Sequence, residues 1–453
     1  MIDLDRMKRL RPALLVLYHC RGVAQLPLRA AIEDHLFAWQ RHSSYPAIYH
    51  NIAYGFDWAA YEHLPIAAVV LDTLALNIRW SPEHFEQVTA PLAALRHFGG
   101  PKIAMPQDEF IHTDILGALL ARMGCTHVLS AANGEDARRI YGSFLPKAQL
   151  GTKLTGYLES STLTRIERLR HARPQRDIDV GYRAWRAEAW LGEHGMLKAR
   201  IADAAHAIAP EFPGLRVDVS TDEADVLTGD DWYAFLLRCR TTLGVEGGAS
   251  VLDRDGSICK RTRAYQQQHP GASFEEVREA CFPGEDGSLS LFAIGPRHLE
   301  ACATRTCQLL VEGSYQGVLR AGEDYLPIAR DFSNLRQVLE TSKDDALVRR
   351  IADNAWNRVV ASGRYTYRGF VRAVEQSILD PATGSFRVGH RAAAAVQVAI
   401  SRHAVSWSFA RHEAARLLPH RAEYESSGKA SWVWERWKAA GAAKFAGMDL
   451  TLQ

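Results

Sequence analysis

A chain of 453 residues, 47% apolar and 23% charged, is long enough for two domains of roughly 200 residues each. Lys and Arg number 54 against 52 Asp and Glu, a net charge of +2, which gives no global case for nucleic-acid binding. Seven scattered cysteines, an odd count with no CxxC pair, speak against a disulfide framework and fit a reducing cytoplasm. No apolar stretch approaches the ~18 residues of a membrane span. Met1 to Arg11 is charged and Pro12 to Tyr18 is too short an apolar run for a signal peptide, so a cytoplasmic protein is expected.

Pro12 to Tyr18 (PALLVLY) predicts a buried first strand, followed by a loop through Cys20, Arg21 and Gly22. Helical spacing runs from Leu26 to Arg41. Pro46 to Ile52 and Ile66 to Leu76 read as strands. Pro82 to Phe98 reads as a helix with Ser81 as N-cap and Gly99-Gly100 as its stop. Lys102 to Met105 is a short strand, Thr113 to Met123 a helix, His127 to Ser130 a strand and Glu135 to Phe144 a helix. Ser160 to Arg170 reads as a connecting helix, with a linker around Pro174 to Asp177. A second alternating unit follows: strands at Asp177–Tyr182, Leu215–Val219 and Thr241–Val245, and helices at Leu191–Ala209, Trp232–Arg238 and Phe274–Ala280. Gly295 to Leu335 then reads as a helix, a largely apolar strand (Cys307 to Val311), a turn and a second short strand. Asp344–Ser362, Tyr367–Leu379, Gln397–Leu418 and Ser431–Phe445 read as helices. Strand alternating with helix predicts parallel sheets covered on both faces. Three units are expected: 1–173, 174–380 and a helical extension, 381–453. The extension carries about ten Lys/Arg against about five Asp/Glu, with Trp407, Trp432, Trp434 and Trp437. It reads as helices packed back on the body, or as a basic surface touching an anionic membrane.

In parallel sheets, ligands gather beyond the carboxyl ends of the strands. Candidate site residues are therefore those just after predicted strands. In the first unit these are Gly22 beside Arg21, and Asp108 and Glu109 with His112 a turn later, which would orient or deprotonate an acceptor hydroxyl. In the second they are Gly181, Tyr182 and Arg183, where Gly181 would let backbone approach a phosphate and Arg183 would neutralise it. Glu246, Gly247 and Gly248 suit a loop lying against a nucleotide or sugar. Arg297, His298 and Glu300 cluster at a helix start behind Pro296. There a carboxylate can take both hydroxyls of a ribose, while cations and a helix N-terminus meet a diphosphate. Asp253 and Asp255 in LDRDGS lack the distal Glu of a calcium loop, and no metal is expected there.

Three ordered segments carry a family resemblance. They are Gly295-Pro296-Arg297-His298-Leu299-Glu300-Ala301, then Glu312-Gly313-Ser314-Tyr315-Gln316-Gly317-Val318-Leu319, and then Asp324-Tyr325-Leu326-Pro327-Ile328 followed by Asp331-Phe332-Ser333-Asn334. Together they resemble the C-terminal domain of GT-B glycosyltransferases, in the branch related to family 4 and to spore-protein-type glycosyltransferase-like proteins. The resemblance implies two Rossmann-like domains facing a cleft, and transfer of a sugar from a nucleotide-diphosphate donor to a glycan or glycolipid hydroxyl with retained configuration. It also implies donor contacts from Glu300, Tyr315 and Gly317. Where family 4 places a second Glu, eight residues before the ribose Glu, this chain has Phe292. Lacking a DxD motif at a donor loop, it is expected to meet phosphate charge with Arg and backbone N–H, without metal or other cofactor. Two other readings stay open: a sugar-nucleotide-binding protein without turnover, and a nucleotide-sugar epimerase of the same fold. Contact with the inner face of a membrane is a further expectation.

Overall fold

The computed structural model describes residues 11–20, 30–172, 175–384 and 386–417. Six strands form the first sheet: β1 (Ala13–Tyr18), β2 (Ala47–Asn51), β3 (Ile66–Leu71), β4 (Lys102–Ala104), β5 (His127–Ser130) and β6 (Gln149–Thr152). Their order is β2-β1-β3-β4-β5-β6, and every neighbouring pair is parallel. β1 is buried along its whole length, as a continuous apolar run in a sheet covered on both faces should be. The order reverses at β1, so a crevice opens beyond the carboxyl ends of β1 and β3.

The second sheet repeats that plan with β7 (Ile178–Arg183), β8 (Val217–Ser220) and β9 (Cys239–Gly244). A short antiparallel pair follows, β10 (Gly247–Ala249) with β11 (Leu291–Ala293), and then β12 (Cys307–Val311) and β13 (Leu326–Ile328). The order is β13-β12-β9-β7-β8, all parallel. Its reversal lies between β7 and β9. The fold is the expected α/β one, with two Rossmann-like sheets whose carboxyl ends face a common cleft, the GT-B arrangement.

Several expected elements are altered by identifiable residues. The strand expected to Leu76 stops at Leu71, because Asp72 accepts the Leu74 N–H at 2.8 Å and starts the helix Thr73–Leu76. The helix expected over Pro82 to Phe98 is α-helical only to Thr89. Pro91 has no N–H to continue it, and Ala90–His97 is a 3₁₀ segment. The helix expected over Leu26 to Arg41 is described from Ala30 and breaks at Phe37, whose ring lies 5.2 Å from both Tyr49 and Trp407. The sequence reading passed over β6, β11 and the helix Ser257–Gln268. That helix is rich in polar residues and buries only Ile258, Cys259 and Thr262; it is held by the fully buried Asp253, which accepts N–H groups of Gly256, Ile258 and Cys259.

The two sheets are tied together in several places. The segment between β10 and β11 leaves the second unit and shares one apolar core with the first, through Val251, Leu252, Ile258 and Val277 against Phe110, Ile111 and Leu116. The helix Tyr367–Val374 crosses back, placing Tyr367, Phe370 and Val371 beside Trp39 and Met105. Gln316, after β12, donates to the carbonyls of Ala131 and Lys153, both at 3.3 Å. The helix His390–Leu417 lies along the first sheet, where Tyr18 Oη is 2.9 Å from His403 Nε2. The segment Ser431–Phe445, with Trp432, Trp434 and Trp437, lies outside the described residues. Among the described residues no helix is long and apolar enough to cross a membrane.

Candidate functional site

The cleft holds a cavity of about 320 Å³. The first sheet lines it with Asp72 and Thr73 after β3, Gln107 and Asp108 after β4, and Thr155 to Leu158 after β6. Asp34 and His35 close one side, and Tyr367 comes from the crossing helix. The second unit contributes Tyr233, Pro296 and Glu300. The units meet closely at the rim: Thr155 Oγ1 donates to the Ile294 carbonyl at 2.8 Å, and a Cβ on Gly156 would stand 2.8 Å from Pro296 Cγ.

Glu300 lies in the first turns of the helix Pro296–Ala303, half-buried on the cleft wall. Trp232 Nε1 donates to its Oε2 at 2.7 Å, and Tyr233 Oη sits 3.5 Å from Oε1. Burial raises its carboxyl above the ordinary Glu range, opposed by the Trp232 hydrogen bond and by the nearby Arg297 charge. Glu300 has no ion-pair partner among the described residues. Arg297 is exposed, 5.7 Å over the Trp232 ring, and donates to the Arg183 carbonyl at 2.5 Å.

Asp108 faces it from the other wall. Its backbone is left-handed, φ 56°, uncommon for a residue with a side chain. Arg79, fully buried, holds that loop by donating to the carbonyls of Gln107 at 2.6 Å, Ile111 at 3.1 Å and Asp108. The Asp108 carboxylate has Asn77 Nδ2 at 3.5 Å; burial raises its pKa, while Arg79, Lys153 and Lys198 pull it back.

Other predicted residues stand elsewhere. Glu109 is 0% exposed and points into the first unit's core, where Ser130 Oγ, the Ala131 N–H and Tyr141 Oη donate to it at 2.6 to 2.7 Å. It cannot reach an acceptor. His112 packs against Gly256 in the loop before the helix Ser257–Gln268, and its N–H binds the Asp253 carbonyl. His298 was expected to offer positive charge. It is instead buried between Gln308 and the Val245 carbonyl, and burial pushes its pKa down to about 4, so it is neutral at pH 7. Gly181 lies inside β7, not beyond it. A Cβ there would stand 2.3 Å from Cys239 Sγ and 2.9 Å from Phe235, so this glycine serves close packing and not phosphate approach. Tyr182 is a core residue. Arg183 is spent on Asp218, at 2.7 Å, and on two carbonyls, with Phe235 4.4 Å beneath it. Glu246 caps the turn after β12, accepting from Ser314 Oγ at 3.0 Å and the Tyr315 N–H at 2.6 Å. Gly248, φ 115°, pairs so tightly with β11 that a Cβ would stand 1.8 Å from the Leu291 carbonyl. Gly247 lies beside it, a Cβ there being 3.9 Å from Lys198 Nζ. Tyr315 is fully buried and donates to the Val311 carbonyl at 2.6 Å; Gly317 turns the chain with φ 70°. Gly22 lies outside the described residues.

Lys198 was not singled out by the sequence reading. It lies on the helix Gly192–Ile208, within the i, i+3, i+4, i+7 stripe His194, Leu197, Lys198, Ile201. A lysine on an otherwise buried stripe was the available signal. It has no hydrogen bond or ion pair among the described residues. Trp185 lies 5.5 Å from its ammonium. Burial and the Arg297 charge hold its pKa down to about 8, with Asp108 opposing them from the other unit. Phe292, where family 4 has a second carboxylate, stacks on His194 with centroids 3.7 Å apart, and Arg330 lies 5.8 Å over it. Lys198 and Arg297 thus set positive charge beside the cavity without lining it, while carboxylates line it. Such a division suits a ligand with an anionic middle and polyhydroxylated ends.

No family model matches the chain, and no curated protein does. Among solved structures it is similar to Anabaena Alr3699/HepE in complex with UDP, with TM-score 0.42 and 11% identity over 81% of this chain and 99% of that one. The complex of the same protein with UDP and glucose gives TM-score 0.43 at 10% identity, over the same shares of the two chains. TarM gives 0.36 at 9% identity, over 68% of this chain and 54% of that one.

Proposed function

We propose that the chain is a glycosyltransferase that moves a sugar from a nucleoside-diphosphate donor to an acceptor hydroxyl. One observation carries this reading. A carboxylate with no ion pair among the described residues, Glu300, lines the cavity between the two sheets from the second unit, and an ammonium likewise without one, Lys198 of the same unit, feels the charge of Asp108 on the opposite wall. Glu300 would hold the ribose hydroxyls, and Lys198 with Arg297 the diphosphate, so that phosphate charge is met without a metal. Asp108 would orient the acceptor hydroxyl. In the reaction the acceptor oxygen bonds to the anomeric carbon, whose bond to the phosphate oxygen breaks. The nucleoside diphosphate leaves with the electron pair, and the hydroxyl proton passes to the leaving phosphate. This is the same-face, retaining course that the family resemblance implies. On that resemblance we assign acceptor binding to residues 1–173, donor binding to 174–380, and the acceptor to surface polysaccharide or glycolipid.

The test is incubation with a panel of UDP-, GDP- and other nucleotide sugars, following free nucleoside diphosphate and apparent stability together. One donor should raise the melting temperature and slowly release its diphosphate, and Glu300→Ala should abolish both. Binding without turnover would replace this reading with that of a sugar-nucleotide-binding protein, and C2 inversion of the sugar with that of an epimerase.

A further inference from the structure

The half of the cleft built on the first sheet is walled by carboxylates, Asp34, Asp72 and Asp108, with Glu300 facing them. Each has a cation acting on it that does not itself line the cavity. Arg41 pairs with Asp34 at 2.6 Å. Lys153, 1% exposed and without a hydrogen bond on its ammonium, acts on both Asp72 and Asp108. Arg297 acts on Glu300. None of these cations lines the cavity. The wall therefore presents hydrogen-bond acceptors whose charge is offset by cations outside the lining.

Asp72 gives an independent sign that a donor is wanted there. It is fully buried at the end of β3. Its Oδ1 is used as a helix cap, but its Oδ2 has no hydrogen-bond partner among the described residues. His35 Nε2 is 3.7 Å away, beyond hydrogen-bond reach. Burial pushes His35 down to about 3, so it is neutral at pH 7 and adds no positive charge to the wall. A buried carboxylate oxygen left unmatched is costly, and a hydroxyl entering from the cavity would relieve that cost.

We propose that this half of the cleft takes an uncharged, polyhydroxylated end of the acceptor, with Asp72 and Asp108 accepting hydrogen bonds from its hydroxyls, and that it rejects sugars bearing a carboxylate. An anionic sugar would meet four carboxylates at contact, with every compensating cation outside the lining. The inference rests on the transferase reading, since it takes the occupant of this half to be the acceptor.

The test uses the full chain without donor and reads binding of simple glycosides by saturation-transfer NMR. The probes are methyl glucoside, galactoside and mannoside against methyl glucuronide and galacturonide. At least one neutral glycoside should bind, with its uronide about tenfold weaker or worse. Asp72→Asn, which keeps the helix cap, should weaken the neutral sugar by about tenfold, the loss expected for a hydrogen bond to a charged group. Uronides binding as well as their neutral counterparts, no neutral glycoside binding, or Asp72→Asn binding as tightly as the parent would each overturn the proposal. The comparison of sugar classes is made on the unaltered chain, so it decides even where the variant does not fold. Donor binding, read separately by thermal shift, tells a failure of the transferase reading from a failure of this one.

Discussion

Glu300 sits where its charge is unwelcome to the fold. Burial raises its pKa, so the folded chain favours the protonated carboxyl. The stability this group contributes is present at low pH and is lost as pH rises through the raised value. Glu300→Gln removes the charge and keeps an oxygen for Trp232. Its melting temperature at pH 7 should equal or exceed that of the parent, with the gain growing as pH rises from the ordinary Glu range to the raised value and levelling off above it. Donor affinity should fall by about 10- to 100-fold, the loss of charge-assisted hydrogen bonds to ribose hydroxyls. A variant that loses stability and keeps donor affinity would assign Glu300 to structure. Lys198 has the opposite sign. Its pKa is held down to about 8. On the proposal that the ammonium binds the donor diphosphate, donor affinity should decline as pH rises through about 8. Lys198→Arg stays charged across this range, so the decline should vanish when the dissociation constant is measured by calorimetry from pH 7 to 9.5.

At the scale of elements, the sequence declared strands better than it declared what stands at their ends. β1 and β12 were legible because each is a largely apolar run followed by a polar residue. β6 (QLGT) has no such run, and the helix Ser257–Gln268 has too few apolar residues to declare itself. Site residues after strands were harder still. A loop carboxylate has the same sequence signature whether it faces solvent, cleft or core, and Asp108 and Glu109 turn opposite ways one residue apart. The left-handed backbone at Asp108, held by Arg79, is what separates them, and nothing local in the sequence announces Arg79 as the holder. Gly181 shows the same ambiguity. It looked like a phosphate-approach glycine, yet Cys239 and Phe235 fill the space where its side chain would be. Gly181→Ala should therefore lower stability by about 1–3 kcal/mol through overpacking, while donor affinity stays unchanged. Cys239→Ala in the same chain should recover part of the loss, since it removes the sulfur nearest the new methyl. Denaturant titration reads both. A loss of donor affinity at unchanged stability would return Gly181 to the site.

The whole molecule is less divisible than two sheets suggest. A two-domain reading places a boundary near the linker after the helix Ser160–Ala172 and leaves each sheet its own core. Apolar contacts cross that boundary in both directions. The segment between β10 and β11 shares the first unit's core, and the helix Tyr367–Val374, late in the chain, buries Phe370 against Trp39 at 6.0 Å and Tyr157 at 4.7 Å. Either sheet unfolding alone would strip apolar surface from the other, which couples the two. Thermal unfolding followed by calorimetry should then give one transition. Phe370→Ala removes a buried ring from the first unit's core at a cost of about 3–5 kcal/mol. Although Phe370 lies beyond the second sheet in sequence, the substitution should move the entire transition down by several degrees without splitting it. Two resolved peaks, with only one of them displaced, would show that the sheets melt independently and that the cleft between them is held only by the contacts at its rim.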